Sequence, residues 1–303
     1  MTIRFIRPES KAARYALQLA VVALLMLLAS WATFRFGPLR MPDFVMLALA
    51  SGGLALISVP LALWGLLRLW QVGAKGGIAS CKALVVAALP LAVLGVATNY
   101  YVNRPHIYEV ATDLDNPVEW IRRPVASQGW LPRPKSDLRG HAQEQATAYP
   151  TLTLRSYDGA LDRIYQAART VAANQRLTVT ATAGAAYARP DFPTPSPVPA
   201  LLGADAAIKA PIPIPMPRPE PAPEMPDTDN EPPGTIRIQA LSRDFILGIP
   251  SDIVIRLREK EDSVQVDMRV ASRFGPHDLG LSAYIANRYL AALDGALLGS
   301  ASQ

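Results

Sequence analysis

A single cysteine, Cys81, occurs in 303 residues. This excludes an internal disulfide and any zinc site built from several thiolates. Histidine is nearly as scarce. His106, His141 and His277 are far apart, and none has a partner at metal-ligand spacing, so the sequence predicts no metal site. It contains no phosphate loop, nucleophile elbow or zinc-peptidase helix, and no serine shares a recognisable frame with His and Asp. No cofactor is expected. Charge is thin too: 18% of residues are charged, against about 25% in soluble domains, which points away from a plain soluble fold.

Apolar residues make up 50% of the chain, there are 28 prolines, and the formal charge is +5. A basic balance taken alone suggests nucleic acid. However, Arg256, Arg258, Arg269 and Arg273 are interspersed with Glu259, Glu261, Asp262 and Asp267, and no aromatic platform accompanies them. No nucleic-acid partner is expected. The basic excess lies in residues 1–104, with ten basic residues against two acidic ones, while residues 105–303 carry twenty against twenty-three.

Three uncharged apolar runs occupy the first part: Ala16–Phe34, Phe44–Leu67 and Ala83–Val102. Each is near or above the roughly 20 residues that a helix needs to cross hydrocarbon. Trp31, Trp64, Trp70, Tyr100 and Tyr101 fall toward the ends of the runs, where aromatic rings favour the interface. The first run is long for a signal peptide and lacks a small-x-small cleavage site, so it reads as an uncleaved span. Four basic residues precede it (Arg4, Arg7, Lys11, Arg14) and three flank the second connection (Arg68, Lys75, Lys82). Only Arg35 and Arg40 flank the first connection. The positive-inside rule then predicts a cytoplasmic N-terminus and, after three spans, an exported C-terminal domain. In a Gram-negative cell this is a multi-pass inner-membrane protein with a periplasmic domain, and its first partner is the lipid bilayer. Cys81, at the cytoplasmic border of the third run, reads as a small interfacial residue.

Two units follow: an anchor, 1–104, and an exported domain, 105–303. In the latter, His106–Pro150 is rich in turn formers and reads as an ordered coil with room for one short strand or helix. Asp158–Asn174 has helical periodicity, with Asp158 as its N-cap. Arg176–Ala183 alternates as a strand. Residues 190–233 contain fifteen prolines and predict an extended, disordered insertion. A strand from Thr235 comes next, then Ser251–Arg258 and Ser263–Phe274 as a hairpin about Glu259–Asp262. The last element is a helix over Leu281–Leu298, with Ile285, Tyr289, Ala292, Leu293, Ala296 and Leu297 as its apolar stripe. The expected class is α+β: an antiparallel sheet with two helices packed on one face, behind three transmembrane helices.

Several short motifs carry a resemblance. They are Val270-Ala-Ser-Arg-Phe-Gly-Pro-His-Asp-Leu-Gly280, Ala111-Thr-Asp-Leu-Asp-Asn-Pro117, Tyr149-Pro150 and Ser242-Arg-Asp-Phe-Ile-Leu-Gly-Ile-Pro-Ser-Asp252. In this order they resemble domain of unknown function family 1499, over Pro105 to about Leu298, in the form preceded by three spans. Ser251 stands where that family usually has the first of two acids, and Ser282 where it has an asparagine. Ile285 falls near its usual arginine. The resemblance implies a fold and a location more than an activity.

Strand parity sets Arg269 and Arg273 on one face, with Asp278, Asp252 and Asp113 within reach. Guanidinium forks beside free helix amides suit a phosphate or carboxylate. The same residues also suit a structural role, in which Arg273 pairs with Asp113 or Asp252 and Asp278 or Ser282 caps the final helix. The expected function is non-catalytic: binding of an anionic ligand, an envelope component or an envelope protein, with no catalytic residue assigned. The alternative is a membrane-bound enzyme acting on an anionic envelope or lipid substrate, with Asp278 or Asp252 as acid–base and Arg269 and Arg273 as clamps.

Overall fold

The structure is a computed structural model, and it describes residues 9–133, 138, 140–188 and 231–300. The insertion expected over 190–233 lies, except for its last three residues, outside the described residues.

The three apolar runs form helices α1 (Lys11–Phe36), α2 (Met41–Val72) and α3 (Gly77–Asn103), each long and apolar enough to cross a membrane. Ser10 caps α1, its hydroxyl accepting from the Ala13 amide at 3.4 Å. Small side chains define the packed faces. Ala16, Ala20 and Ala23 of α1 meet Ala55 and Ala62 of α2 and Ala83 and Ala87 of α3. Such residues let backbones approach closely in lipid, where burying apolar surface between helices gains nothing. Gly65 marks the tightest approach. A Cβ there would lie 2.3 Å from Ser80 Oγ and 3.0 Å from Ala13 Cβ, so any larger residue would push the three helices apart. The large apolar side chains point outward instead: only 22%, 28% and 22% of the three apolar windows is buried by protein.

The C-terminal part is α+β, as expected. Its sheet comprises β1 (Glu109–Ala111), β2 (Arg155–Asp158), β3 (Thr178–Ala183), β4 (Thr235–Arg243), β5 (Pro250–Lys260) and β6 (Ser263–Ser272). All pairs are antiparallel, and the order is β1-β6-β5-β4-β3. The β5–β6 hairpin turns at Glu261–Asp262. Strand β2 shares the β6 edge with β1, pairing with residues 263–266 while β1 pairs with 269–271. Helices α5 (Leu161–Asn174) and α6 (Leu281–Ser300) cover one face. Beneath them lie Ile236, Ile238, Ile253, Ile255, Leu257, Val266, Met268 and Val270, all essentially inaccessible. Each such side chain contributes about 1.5–3 kcal/mol by leaving water. Tyr289 of α6 donates its hydroxyl to the Ala168 carbonyl of α5 at 2.8 Å, joining the helices inside this core.

Four details depart from the sequence reading. Strand β1 and a short helix α4 (Ala142–Ala148) both lie within the expected coil, and β2 precedes α5. Strands of three and four residues are too short for alternation to reveal them. Asp158 does not cap α5: it ends β2 opposite Ser263, and Ala160 takes the N-cap position without a side-chain bond. Strand β3 begins at Thr178, because Arg176 turns through a positive φ of 58°. On α6, Ala292 and Ala296 are exposed, and Ala286 and Leu290 are buried in their place.

The C-terminal part sits against the end of the bundle formed by the C-termini of α1 and α3 and the N-terminus of α2. The Trp31 indole donates to the Ile246 carbonyl at 3.1 Å, and the Trp130 indole donates to the Pro42 carbonyl at 2.8 Å. The β4–β5 connection is folded by Asp244, whose carboxylate accepts from the Ile246 and Leu247 amides. It leaves Phe245 and Ile246 exposed beside α1.

Candidate functional site

The sheet face opposite α5 and α6 is covered by the coil running through residues 112–133. This layer has no regular backbone hydrogen bonding of its own, so arginines on the strands satisfy its carbonyls. Arg256 Nη2 donates to the Asn116 carbonyl at 2.8 Å, Arg269 Nη1 to Val118 at 3.0 Å, and Arg237 Nη1 to Glu119 at 2.9 Å. Gln239 adds a reciprocal pair with the Arg122 backbone, at 2.7 and 2.8 Å. Buried peptide groups must find partners, and here side chains substitute for a seventh strand.

The same arginines are neutralised from the sheet. Arg256 Nε donates to Asp267 Oδ2 at 2.7 Å, and Arg258 lies 3.0 Å from the same oxygen. Asp113 closes this group by accepting from Arg258 at 3.2 Å, and its other oxygen accepts from the Asn116 amide at 2.9 Å. Burial pushes the Asp267 carboxyl above its usual range, against the pull of the two guanidiniums. Arg269 pairs with the buried Glu109 at 2.9 Å and stacks over Trp120, 5.1 Å from the ring centroid. Arg273 is held by Asp252, with Nε 2.9 Å from Oδ2, and this hydrogen bond raises the guanidinium's affinity for its proton. Asp278 sits at the start of α6, where its carboxylate accepts from the Gly280 amide at 2.8 Å and the Ser282 amide at 3.0 Å.

The five residues singled out in the sequence therefore do not converge. Asp113 belongs to the Arg256–Arg258–Asp267 group, Arg269 to Glu109, Arg273 to Asp252, and Asp278 to the α6 N-terminus. Each is engaged in holding the coil, a strand end or a helix end.

A concavity does lie beside this layer. It is an open groove of about 730 Å³ lined by Tyr108, Glu109, Glu119, Trp120, Arg123, Gln128, Arg133 and Arg269, among others. Arg133 packs over the Tyr108 ring, 4.3 Å from its centroid, and donates to the Arg273 carbonyl at 3.2 Å. Among the described residues neither Arg123 nor Arg133 is ion-paired to a carboxylate. Trp130, two residues beyond Gln128, is bonded to Pro42, which sets the groove next to the bundle. The run Trp120-Ile-Arg-Arg-Pro124 was the available sequence signal for it.

Two of the histidines also meet. His106 and His277 are 5.1 Å apart by ring centroids, each about as far from Tyr101 at the end of α3. Glu144 of α4 accepts from the His106 amide at 2.9 Å and lies 3.3 Å from His141 Nδ1. His277 Nδ1 accepts from the Leu279 amide at 2.7 Å. Burial lowers its pKa from 6.5, opposed by the Arg104 carbonyl, Asp278 and Glu144 and assisted by His106. Among the described residues, no group of three or more His, Cys, Asp or Glu is arranged to hold a metal ion.

These features define a class: an antiparallel α+β unit with an arginine-stitched coil layer, carried on three apolar helices. The chain matches, over residues 213–293, the family model described as protein of unknown function (DUF1499). The match takes in β4, β5, β6 and the first part of α6, so the resemblance read from the Ser242–Asp252 and Val270–Gly280 motifs is borne out. The Ala111–Pro117 and Tyr149–Pro150 motifs lie outside the matched segment. No curated protein and no solved structure matches the chain.

Proposed function

We propose that this is a multi-pass inner-membrane protein, N-terminus in the cytoplasm, whose exported domain (105–303) on its anchor (1–104) binds an anionic envelope component without transforming it. The observation that carries this reading is the groove beside the bundle. Arg123, Arg133 and Arg269 outnumber the acids of the lining, Glu109 and Glu119, and neither Arg123 nor Arg133 is ion-paired to a carboxylate among the described residues. Guanidinium forks recognise phosphate and carboxylate groups, and Pro124 with the exposed Val125 gives an apolar surface for the rest of the ligand. Arg269 lines the same groove, held in place by Glu109 and Val118. It is the member of the original five that we retain as a ligand contact.

The non-catalytic reading is supported by how the acids are used. An enzyme relying on Asp278 or Asp252 would have to release the α6 cap or the Arg273 pair before either could move a proton. Mass spectrometry of small molecules co-purifying with the full chain tests the proposal. An anionic species should accompany the wild type and be lost from the Arg123→Ala/Arg133→Ala variant, which should still unfold cooperatively, at a temperature lowered only by the lost Tyr108 and Arg273 contacts. Identical co-purifying species in both would overturn the groove as the site. Chemical conversion of that species by the wild type would favour the enzyme.

A further inference from the structure

At the other end of the bundle the helices leave a second, differently built groove of about 810 Å³. Its walls are Leu17 of α1, Leu66 and Leu69 of α2, and Ile78, Val85 and Val86 of α3. Lys75 and Gly76 of the α2–α3 connection and Gly77 and Lys82 of α3 complete its lining. The Ser10 amide donates to the Lys75 carbonyl at 2.9 Å, which fixes that connection against the start of α1.

We infer that this groove is a binding site for one anionic phospholipid, with an acyl chain along the leucines and valines and its phosphate between Lys75 and Lys82. The argument is charge complementarity matched to geometry. Among the described residues, Lys11, Arg14, Arg68, Lys75 and Lys82 crowd this end of the bundle, and Glu9 is the one acid there, already paired with Arg14 at 2.9 Å. Both lysines are exposed and neither is ion-paired to a carboxylate among the described residues. Basic pockets between helices at a membrane surface select anionic headgroups, and an acyl chain requires an apolar slot directly beneath them. Gly77 keeps the Leu69 wall close to the start of α3: a Cβ there would lie 2.4 Å from Leu69 Cδ2. A zwitterionic lipid fits the slot equally well but gains less from two lysines. This site is independent of the groove at Arg123 and Arg133.

The test uses the full chain in nanodiscs of phosphatidylcholine with about one-fifth phosphatidylglycerol, and native mass spectrometry of the lipid retained on release. The wild type should retain one phosphatidylglycerol in preference to phosphatidylcholine. Lys75→Gln/Lys82→Gln should reduce that preference about tenfold. Ile78→Trp alters an exposed groove wall outside the helix contacts and fills the acyl slot. It should abolish retention with both lysines present, while Arg123→Ala/Arg133→Ala should leave it unchanged. Cys81 lines the groove, so an uncharged maleimide gives a second reading. Labelling should be slower in phosphatidylglycerol discs than in pure phosphatidylcholine, and the difference should disappear in Ile78→Trp. Equal retention of both lipids, retention that survives Ile78→Trp, or a mass showing a second copy of the chain over the groove would overturn the assignment.

Discussion

Arg256 and Asp267 show what the buried ion pairs contribute. Asp267 has no accessible surface, and Arg256 retains little. Removing two charges from water costs several kcal/mol each, which their attraction offsets only when every remaining group is also bonded. Here Asp267 Oδ1 has no partner among the described residues, so the pair is a requirement of seating the coil rather than a source of net stability. Asp267→Ala should destabilise the chain by about 3 kcal/mol, by removing the buried partner of Arg256 and leaving Arg258 to Asp113 alone. Arg256→Met/Asp267→Leu should recover a large part of that loss, as read by thermal unfolding of the purified full chain. These residues were readable as neighbours, since alternation along β6 places Asp267, Arg269 and Arg273 on one face. Their function was not, because the carbonyls they satisfy belong to a coil more than a hundred residues earlier. The missing information was contact across the sheet, which no local period encodes.

At the level of elements, the end of α3, the coil after it, α4 and the turn before α6 meet at His106 and His277. The sequence separates these histidines by most of the C-terminal part, so spacing could not bring them together; the antiparallel pairing of β1 with β6 does. Since burial lowers the pKa of His277, the folded chain favours its neutral form. The unfolded chain then binds the proton more readily. The stabilisation is complete above 6.5 and is lost as pH falls through the lower folded value. The wild type should therefore lose unfolding temperature between about pH 7.5 and about pH 5 more steeply than His277→Asn, whose side chain keeps an acceptor without titrating. Equal slopes would remove His277 from the pH response. The regular elements themselves were legible: the three apolar runs and the β4–β5–β6 alternation gave helices and strands within a few residues. Asp158 misled because a good N-cap residue also fits the end of a two-layer edge strand.

For the molecule as a whole, the described residues join the bundle and the sheet at one end. Trp31 and Trp130 each lend an indole proton across the joint, and Phe245 and Ile246 protrude beside α1. The proposed orientation puts that end at the outer surface and the lysine-rich end in the cytoplasm. A phosphatase fused after Asp113 should be active, and a reporter that works only in the cytoplasm should be silent at the same position. The reverse pattern would invert the topology, and with it the leaflet from which either groove draws its ligand.

The return of the chain at Glu231 has a consequence of its own. Glu231 pairs with Arg237 on β4 and lies against Gly184, just before the 3₁₀ turn Ala185–Ala188; a Cβ on that glycine would sit 3.2 Å from Glu231 Cβ. Gly184 is thus the one position of this junction that no side chain fits: it has a positive φ of 73°, and a Cβ there would lie 2.2 Å from the Thr235 carbonyl oxygen. Gly184→Ala would prise the end of β3 from the start of β4 and loosen the Glu231–Arg237 pair with it.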